Sequence, residues 1–184
     1  MLIIDAPTQL YEARLSGTFE IFTKQRTGSK NEGLALLVHR EAFDEVEVSA
    51  LELEPRNCDR VALVGRMRHR ASGKRILVLN THLTVAHVNS YDIPHNRPLQ
   101  MEQVLAAARD EEAVVLIGAD LNCDHLEDEP PPTRSGAPAY TTADVARPVH
   151  MAFESGFRSA LHTVLAAGPA SPACRPISHT CSCA

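Results

Sequence analysis

The sequence predicts an α/β or α+β fold built on mixed β-sheets. Three observations predict it: several apolar or alternating segments have the length of strands, two of them flank a tight turn, and the second half shows helical periodicity. With 184 residues, 44% hydrophobic and 22% charged, residues 1–184 fit one domain large enough to bury a core.

The first part of the chain is predicted to be a helix followed by strands. Apolar residues at helical spacing over 8–15 predict the helix, and alternation over 18–22 predicts the first strand. A polar loop with two glycines at 24–33 precedes a short buried strand at 34–39. Acidic and apolar residues alternate almost strictly over 44–54, so this strand should have one face in water.

The middle of the chain is predicted to be a β-hairpin followed by a helix. Two strand-like segments, 59–70 and 74–83, flank a tight turn at 71–73. Apolar residues at helical spacing over 98–112 predict the helix, with Pro98 near its start, where a missing N–H costs little.

The last elements are a strand and a broken helix. The continuous apolar run at 113–120 predicts a strand that is covered on both faces. Residues 143–161 are predicted to be partly helical, with breaks near Pro148 and at Gly156. Helices and strands thus mix, with a hairpin among them, so both α/β and α+β remain open.

Composition limits the partners of the protein. The formal net charge of −5 gives no overall basic field, so RNA or DNA would have to be held by local patches. Two basic stretches, 24–30 and 66–75, could follow a polynucleotide backbone, although loops and turns often carry such charges only for solubility. No apolar run approaches the roughly 20 residues of a membrane span, so we expect no membrane partner and a cytoplasmic or nuclear location.

The cysteines do not indicate a disulfide framework. Their number is odd and they are scattered along the chain: Cys58, Cys123, Cys174, Cys181 and Cys183. Three of them surround His179 near the C-terminus, but the single residue between Cys181 and Cys183 is too short for an ordinary zinc site. Free thiols are the favoured interpretation.

Two predicted strands end in side chains that suit phosphate chemistry. Asp120 and Asn122 follow the strand at 113–120 and are two residues apart, hence on the same side of an extended chain. The carboxylate is a hard ligand that suits Mg²⁺, and the amide can hold a water or a phosphate oxygen. The alternative is that the strand simply ends in an Asx turn.

The second such strand end carries Asn80 and His82. The imidazole can donate to a phosphate oxygen or protonate a leaving oxygen, and Asn80, on the same face, can orient it by hydrogen bonding. A lone histidine at a strand end is more often structural. The presence of two strand ends with matched chemistry favours a shared site.

Several motifs, in this order, resemble the endonuclease/exonuclease/phosphatase superfamily with its deoxyribonuclease I-like fold. They are "LNTHL" at 79–83, "RPLQ" at 97–100 and "VVLIGADLN" at 114–122. Segments 26–43 and 154–161 further resemble the deadenylase-like branch that includes nocturnin, angel and 2′-phosphodiesterase proteins. The resemblance implies a four-layer sandwich of two mixed β-sheets flanked by helices, with the site where strand ends converge.

The resemblance also implies roles for individual residues. Asp120 would activate the attacking water and bind the metal, Mg²⁺ or Mn²⁺, while Asn122 would hold the reacting phosphate. His82 would contact the phosphate and assist the leaving group. The helix-opening residues Arg97 and Gln100 would be structural. The second hallmark motif usually reads G-D-[FL]-N, whereas here one residue stands between Gly118 and the aspartate.

The chain departs from the superfamily pattern at both ends. The first strand, which ends in Asn, is absent, and Asp5 stands where a metal-binding Glu is usual, with a side chain one methylene shorter. The final Asp-His or Asp-Tyr motif is absent, and the chain stops at "HTCSCA". We therefore expect a partial domain, incomplete at both termini, with unpaired sheet edges that invite association.

Two functions follow as hypotheses. The first is a metal-dependent phosphodiesterase, either an RNA 3′-exonuclease of the deadenylase type or a nucleotide phosphatase, with catalytic His82, Asp120, Asn122 and Asn80 and metal ligands Asp5 and Asp120. The alternative is an inactive or truncated relative that acts as a binding module, since loss of a metal carboxylate weakens Mg²⁺ binding.

Overall fold

A computed structural model describes residues 2–4, 13–26, 33–54, 59–84, 93–109, 112–122 and 142–160. The helix predicted at 8–15 is described only at its end, where 13–15 are helical. The strands are β1 Leu2–Ile4, β2 Phe19–Gln25, β3 Gly33–His39, β4 Phe43–Leu53, β5 Arg60–His69, β6 Arg75–His82 and β7 Ala113–Asp120. The longer helices are α1 Ile93–Ala107 and α2 Thr142–Glu154.

The strands form two sheets. The three-stranded sheet has the order β1-β3-β2 and is antiparallel. The four-stranded sheet has the order β4-β5-β6-β7, with antiparallel pairs up to β6 and a parallel β6–β7 pair. The mixed α/β architecture with two sheets is thus confirmed. The expectation that both sheets are mixed is wrong for the described strands, because only the β6–β7 pair, connected through α1, is parallel.

The two sheets pack face to face through an apolar layer. Its buried residues come from the middle of β3 and the facing side of β5: Leu34, Leu36, Val38, Val61, Leu63 and Met67. Gly65 lies in this layer, where a Cβ atom would come within 2.5 Å of Leu36 Cδ2. The absence of a side chain at Gly65 therefore lets Leu36 of the opposite sheet approach β5 closely.

The other face of the four-stranded sheet is covered by the helices. Its core joins alternate residues of β5 and β6, among them Leu77 and Leu79, to Met101 and Val104 of α1 and Met151 of α2. All of these side chains are at most 8% exposed. The described chain therefore forms three layers, with the four-stranded sheet in the middle.

Strand β7 lies within its predicted bounds, but only one of its faces is covered. Val115 and Ile117 pack against the helix-side core. Val114 and Leu116, on the opposite face, are 45% and 53% exposed. The expectation of a strand covered on both faces is therefore wrong, because no residue of β7 belongs to the layer between the described sheets.

Both helices place a proline differently from expectation. α1 begins at Ile93, so Pro98 lies inside it and not near its start; Pro94 occupies the tolerant first turn. α2 runs through Pro148 without the predicted break. It ends as expected before Gly156, whose φ of 87° closes a C-terminal cap. In that cap Phe157 N donates to Ala152 O and Gly156 N to Phe153 O.

Two sequence expectations fall outside the described residues. Asp5 and the cysteine-rich C-terminal segment with His179 lie there, so neither the proposed metal ligand nor the thiols are described. Among the described helices, none is both long and apolar enough to cross a membrane.

Candidate active site

The candidate site lies at the carboxyl ends of β6 and β7. These strands are parallel, and their register pairs His82 with Asp120, so both side chains leave the same face of the sheet. His82 Nε2 lies 3.8 Å from Asp120 Oδ2. The imidazole is 17% exposed and the carboxylate 45% exposed. The two groups predicted to share a cleft are therefore neighbours that solvent can reach.

Asp120 also forms a turn with the backbone that follows it. Asn122 N donates to Asp120 Oδ1 at 2.9 Å, and Asn122 has a φ of 49°. This is the Asx-turn geometry that the sequence left as an alternative. The turn occupies one carboxylate oxygen, while Oδ2 faces His82. Turn formation and a role in chemistry therefore use different oxygens of the same side chain.

The Asn122 side chain joins the ends of the two strands. Its Nδ2 donates to Leu83 O at 2.7 Å, and Leu83 N donates to Asp120 O at 2.9 Å. An amide nitrogen carries two N–H groups, so this bond uses one of them. Arg97, which is 2% exposed, donates through Nη1 to Asn122 O. The polar end of β7 is thus fixed from β6 and from α1.

Gln100 fixes the segment after β6 in the same way. It is fully buried, and its Oε1 accepts from Thr84 N at 3.0 Å. Its Nε2 donates to Thr84 Oγ1 at 2.9 Å. Arg97 and Gln100 therefore contact the two segments that carry the candidate site, which agrees with the structural role that the motif resemblance implied.

Asn80 lies behind His82 and connects the two sheets. Its side chain is 1% exposed, and Nδ2 donates to Ala35 O of β3 at 2.9 Å. Within the described chain, Asn80 Oδ1 has no hydrogen-bond partner. The amide bonds to the opposite sheet and not to His82, so the hydrogen bond expected to orient the imidazole is absent from its described contacts.

Two arginines beside His82 were not singled out from the sequence. A small cleft of about 10 Å³ between the sheets, with room for about one water molecule, is lined by Arg26, Gly33, Leu34, Arg60, Val61 and His82. Arg60 opens β5 and is only 6% exposed, while Arg26 Nε donates to Asp59 O at 3.2 Å. From the sequence, Arg26 was noted only as part of a basic loop. Arg60 is the first residue of an apolar strand, and nothing in the neighbouring sequence predicts that its side chain lies beside His82.

The second basic stretch lies elsewhere. Its residues surround the β5–β6 turn, at the opposite end of β6 from His82. Arg68 and Arg70 pair with Asp44 at 3.1 and 3.0 Å, and Arg75 pairs with Glu112 at 2.7 Å. Because acidic neighbours offset these charges, the structure favours the solubility interpretation for residues 66–75.

Sequence comparison finds no relative for this chain. No family model and no curated protein matches it. Structural comparison does find matches. The human nocturnin catalytic domain with bound sulfate matches with a TM-score of 0.57 at 16% identity, covering 67% of this chain and 50% of nocturnin's.

Two further structures match at a similar level. One is ANGEL2, a 2′,3′-cyclic phosphatase in complex with adenosine-2′,3′-vanadate, which matches with a TM-score of 0.51 at 22% identity. This match covers 65% of this chain and 38% of the ANGEL2 chain. An endonuclease/exonuclease/phosphatase family protein from Bacteroides thetaiotaomicron has a TM-score of 0.51 at 16% identity, covering 66% and 46%.

The matches confirm the resemblance at the level of the fold. Structures of the endonuclease/exonuclease/phosphatase superfamily share the deoxyribonuclease I-like arrangement found here, while the chain spans about half of the matched structures or less. Identities between 16% and 22% show the fold alone.

Proposed function

We propose that this chain is a metal-dependent phosphodiesterase or phosphatase that acts on RNA or a nucleotide. One observation carries the proposal: an imidazole and a carboxylate, His82 and Asp120, lie 3.8 Å apart at the ends of adjacent parallel strands. Ligand sites of α/β sheets commonly lie at the carboxyl ends of strands. The two-sheet architecture also supports the proposal. We further propose that the complete fold is a four-layer sandwich, in which a helix covers the outer face of the three-stranded sheet.

The proposed reaction is hydrolysis of a phosphate ester. Asp120 accepts a proton from the attacking water, whose oxygen forms the new bond to phosphorus. The bond from phosphorus to the leaving oxygen breaks, and protonated His82 gives that oxygen a proton. Asn122 holds a phosphoryl oxygen through the N–H that is not bonded to Leu83.

The described residues offer a divalent cation one carboxylate. Asp120 is half-exposed and provides a hard oxygen ligand, which fits Mg²⁺ or Mn²⁺ because such ions keep several waters and use one or two protein carboxylates. Among the described residues, no group of at least three histidine, cysteine or acidic side chains surrounds a common point. Asp5 is the second proposed ligand. Held by these carboxylates, the ion would supply positive charge that polarises the phosphoryl oxygen.

The two arginines beside His82 support a phosphate-containing substrate. Arg26 and Arg60 line the small cleft with His82, and guanidinium groups suit phosphate oxygens because their donors are fixed in a planar fork. The described ANGEL2 complex contains an adenosine-2′,3′-vanadate, a nucleotide analogue. We therefore favour nucleotides and RNA ends, in a 3′-exonuclease of the deadenylase type or a nucleotide phosphatase, over other phosphate esters.

A second candidate function is an inactive binding module. The observation in its favour is the Asx turn, in which Asp120 Oδ1 accepts from Asn122 N and so has a role without any chemistry. In that case Arg26 and Arg60 would still attract phosphate groups, but no ester would be cleaved.

The test is hydrolysis of a short RNA and of a chromogenic phosphodiester, with Mg²⁺ or Mn²⁺ and with a chelator. We expect metal-dependent release of nucleotide that falls at least about a hundredfold in Asp120→Asn and in His82→Ala. The matched control is Glu112→Gln, which removes an exposed carboxylate next to the opposite end of β7 and should keep full activity.

The outcomes separate the two functions. Metal-dependent activity that survives in Asp120→Asn contradicts the proposed site. If wild-type protein binds RNA but cleaves nothing with either metal, the binding module replaces the enzyme as the conclusion.

A further inference from the structure

The hydrogen-bond ladder between β6 and β7 changes its donor at the carboxyl end. In a parallel ladder the bonds are evenly spaced, and each bonded residue donates to one residue of the neighbouring strand and accepts from the residue two positions further on. Leu83 N donates to Asp120 O at 2.9 Å, as this pattern requires. The next bond of the pattern would run from Asn122 N to Leu83 O. Instead, Asn122 N donates to Asp120 Oδ1, and Asn122 Nδ2 donates to Leu83 O at 2.7 Å.

The Asn122 side chain thus takes the place of its own backbone N–H in the ladder. The exchange requires the backbone to turn away from β6 at this residue, and Asn122 accordingly has a φ of 49°. The left-handed region is unfavourable for residues with a Cβ atom, although asparagine tolerates it better than most. Such a conformation persists where surrounding contacts hold it.

Arg97 of α1 supplies a contact of this kind. Its side chain is 2% exposed, and its Nη1 donates to Asn122 O. A charged donor forms a stronger hydrogen bond to a carbonyl oxygen than a neutral donor does. The bond fixes the direction of the Asn122 carbonyl and therefore restricts rotation of the backbone at this residue.

We propose that Arg97 is a positioning residue that holds Asn122 in the left-handed conformation and thereby fixes its amide at the candidate site. Without the guanidinium group, the backbone of Asn122 would relax to a strand conformation, and Asn122 N would resume the ladder bond to Leu83 O. The side-chain amide would then lose this acceptor and rotate freely. A donor that is no longer held in place stabilises the transition state less well.

The inference has two parts that can be tested separately. The effect on catalysis rests on the proposed function, in which Asn122 holds a phosphoryl oxygen. The effect on the conformation of Asn122 does not depend on any activity. A purely structural role of Arg97 in holding α1 against the sheet would change the stability of the fold and leave the amide of Asn122 in place.

The first test follows the side-chain amide of Asn122 by ¹⁵N NMR, with its signals assigned by their loss in Asn122→Gly. In the wild type, the hydrogen bonded to Leu83 O should exchange slowly with solvent. In Arg97→Met, which removes the donors and keeps an unbranched side chain, its exchange should accelerate at least about tenfold. The matched control is Arg147→Met on α2, which removes an exposed ion pair with Glu154 and should change nothing at Asn122.

The second test is a double-mutant cycle on the hydrolysis of a chromogenic phosphodiester. Arg97→Met should lower kcat at least about tenfold and leave KM within about twofold, because the lost interaction acts in the transition state. Glycine adopts the left-handed conformation freely, so Asn122→Gly removes only the amide. In the Asn122→Gly background, Arg97→Met should lower kcat by less than about threefold, since the two residues act as a unit.

Each outcome decides the proposal. Slow exchange of the Asn122 amide in folded Arg97→Met overturns it, and so does an equal loss of kcat from Arg97→Met in both backgrounds. If the wild type cleaves no ester, the proposed function fails while the NMR test still decides the role of Arg97. Far-ultraviolet circular dichroism checks folding, and Arg97→Gln, whose neutral amide is too short to reach Asn122 O, replaces Arg97→Met in both tests if that variant does not fold.

Discussion

Replacing Asn80 by aspartate should make the stability of the fold strongly dependent on pH. Asn80 is 1% exposed and donates through Nδ2 to Ala35 O of the other sheet. An ionised carboxylate there would have no proton to donate and would face a carbonyl oxygen. Burial therefore raises the pKa of the introduced carboxyl above its usual range, and the folded protein keeps the neutral acid, whose O–H can still donate to Ala35 O.

The magnitude follows from the proton that the folded state must keep. An unfolded aspartate has a pKa of about 3.9, so holding it neutral at pH 7 costs about 4 kcal/mol at 1.36 kcal/mol per pH unit. The folded state then binds more protons than the unfolded state, so stability is highest below the unfolded pKa and falls as pH rises toward the raised folded pKa. At pH 4.5 the cost should be only about 1 kcal/mol.

Urea unfolding followed by far-ultraviolet circular dichroism measures this effect at pH 4.5 and pH 7. The matched control is Gln103→Glu, because Gln103 uses its acceptor: Oε1 accepts from Glu54 N at 2.9 Å, and a carboxylate can do the same. The control should change by less than about 1 kcal/mol at both pH values. Equal destabilisation of Asn80→Asp at the two pH values, or none, would refute the reasoning, since the donated hydrogen bond between the sheets would then not be what Asn80 contributes.

Two further predictions concern the sheet contact and the cleft. Gly65→Ala should destabilise the fold by about 1–3 kcal/mol in urea unfolding, because the new methyl group would lie 2.5 Å from Leu36 Cδ2, and adding Leu36→Val should recover part of the loss; a neutral Gly65→Ala would contradict the close packing of the sheets. Arg60→Gln should raise the KM for an anionic substrate about tenfold, because it removes a guanidinium group beside His82. Arg75→Gln, at the other end of β6, is the control and should leave the KM unchanged. Equal effects of the two substitutions would contradict a local role of the cleft beside His82.

The strands were predictable where a local pattern determines them. β7 was predicted at its observed bounds because the continuous apolar run from Ala113 is closed by Asp120. The β5–β6 hairpin was found from its turn. The helix boundaries were less accurate, because packing of α1 and α2 on the sheet holds Pro98 and Pro148 inside helices despite their local cost.

The covering of each face could not be predicted locally. The sequence of β7 is apolar throughout, yet Leu116 is exposed because no β7 residue enters the layer between the described sheets. Arg60 is another such case, since the cleft that it lines beside His82 is completed by Arg26 and by Gly33 and Leu34 of β3, which are distant in sequence. For Asn80, the strand periodicity predicted which face of the sheet its side chain lies on. It did not predict the hydrogen-bond partner of the side chain, which is a backbone carbonyl of the other sheet.

The apolar core itself determines which polar groups meet at the candidate site. In the β6–β7 register, Leu77 pairs with Val115 and Leu79 with Ile117, and all four side chains pack toward the helices. The same register pairs His82 with Asp120. A slip of one residue would turn the apolar side chains of β7 away from the helices, so burial opposes it strongly. The separation of imidazole and carboxylate is therefore maintained by residues that contact neither group, and substitutions in this core can alter the site from a distance.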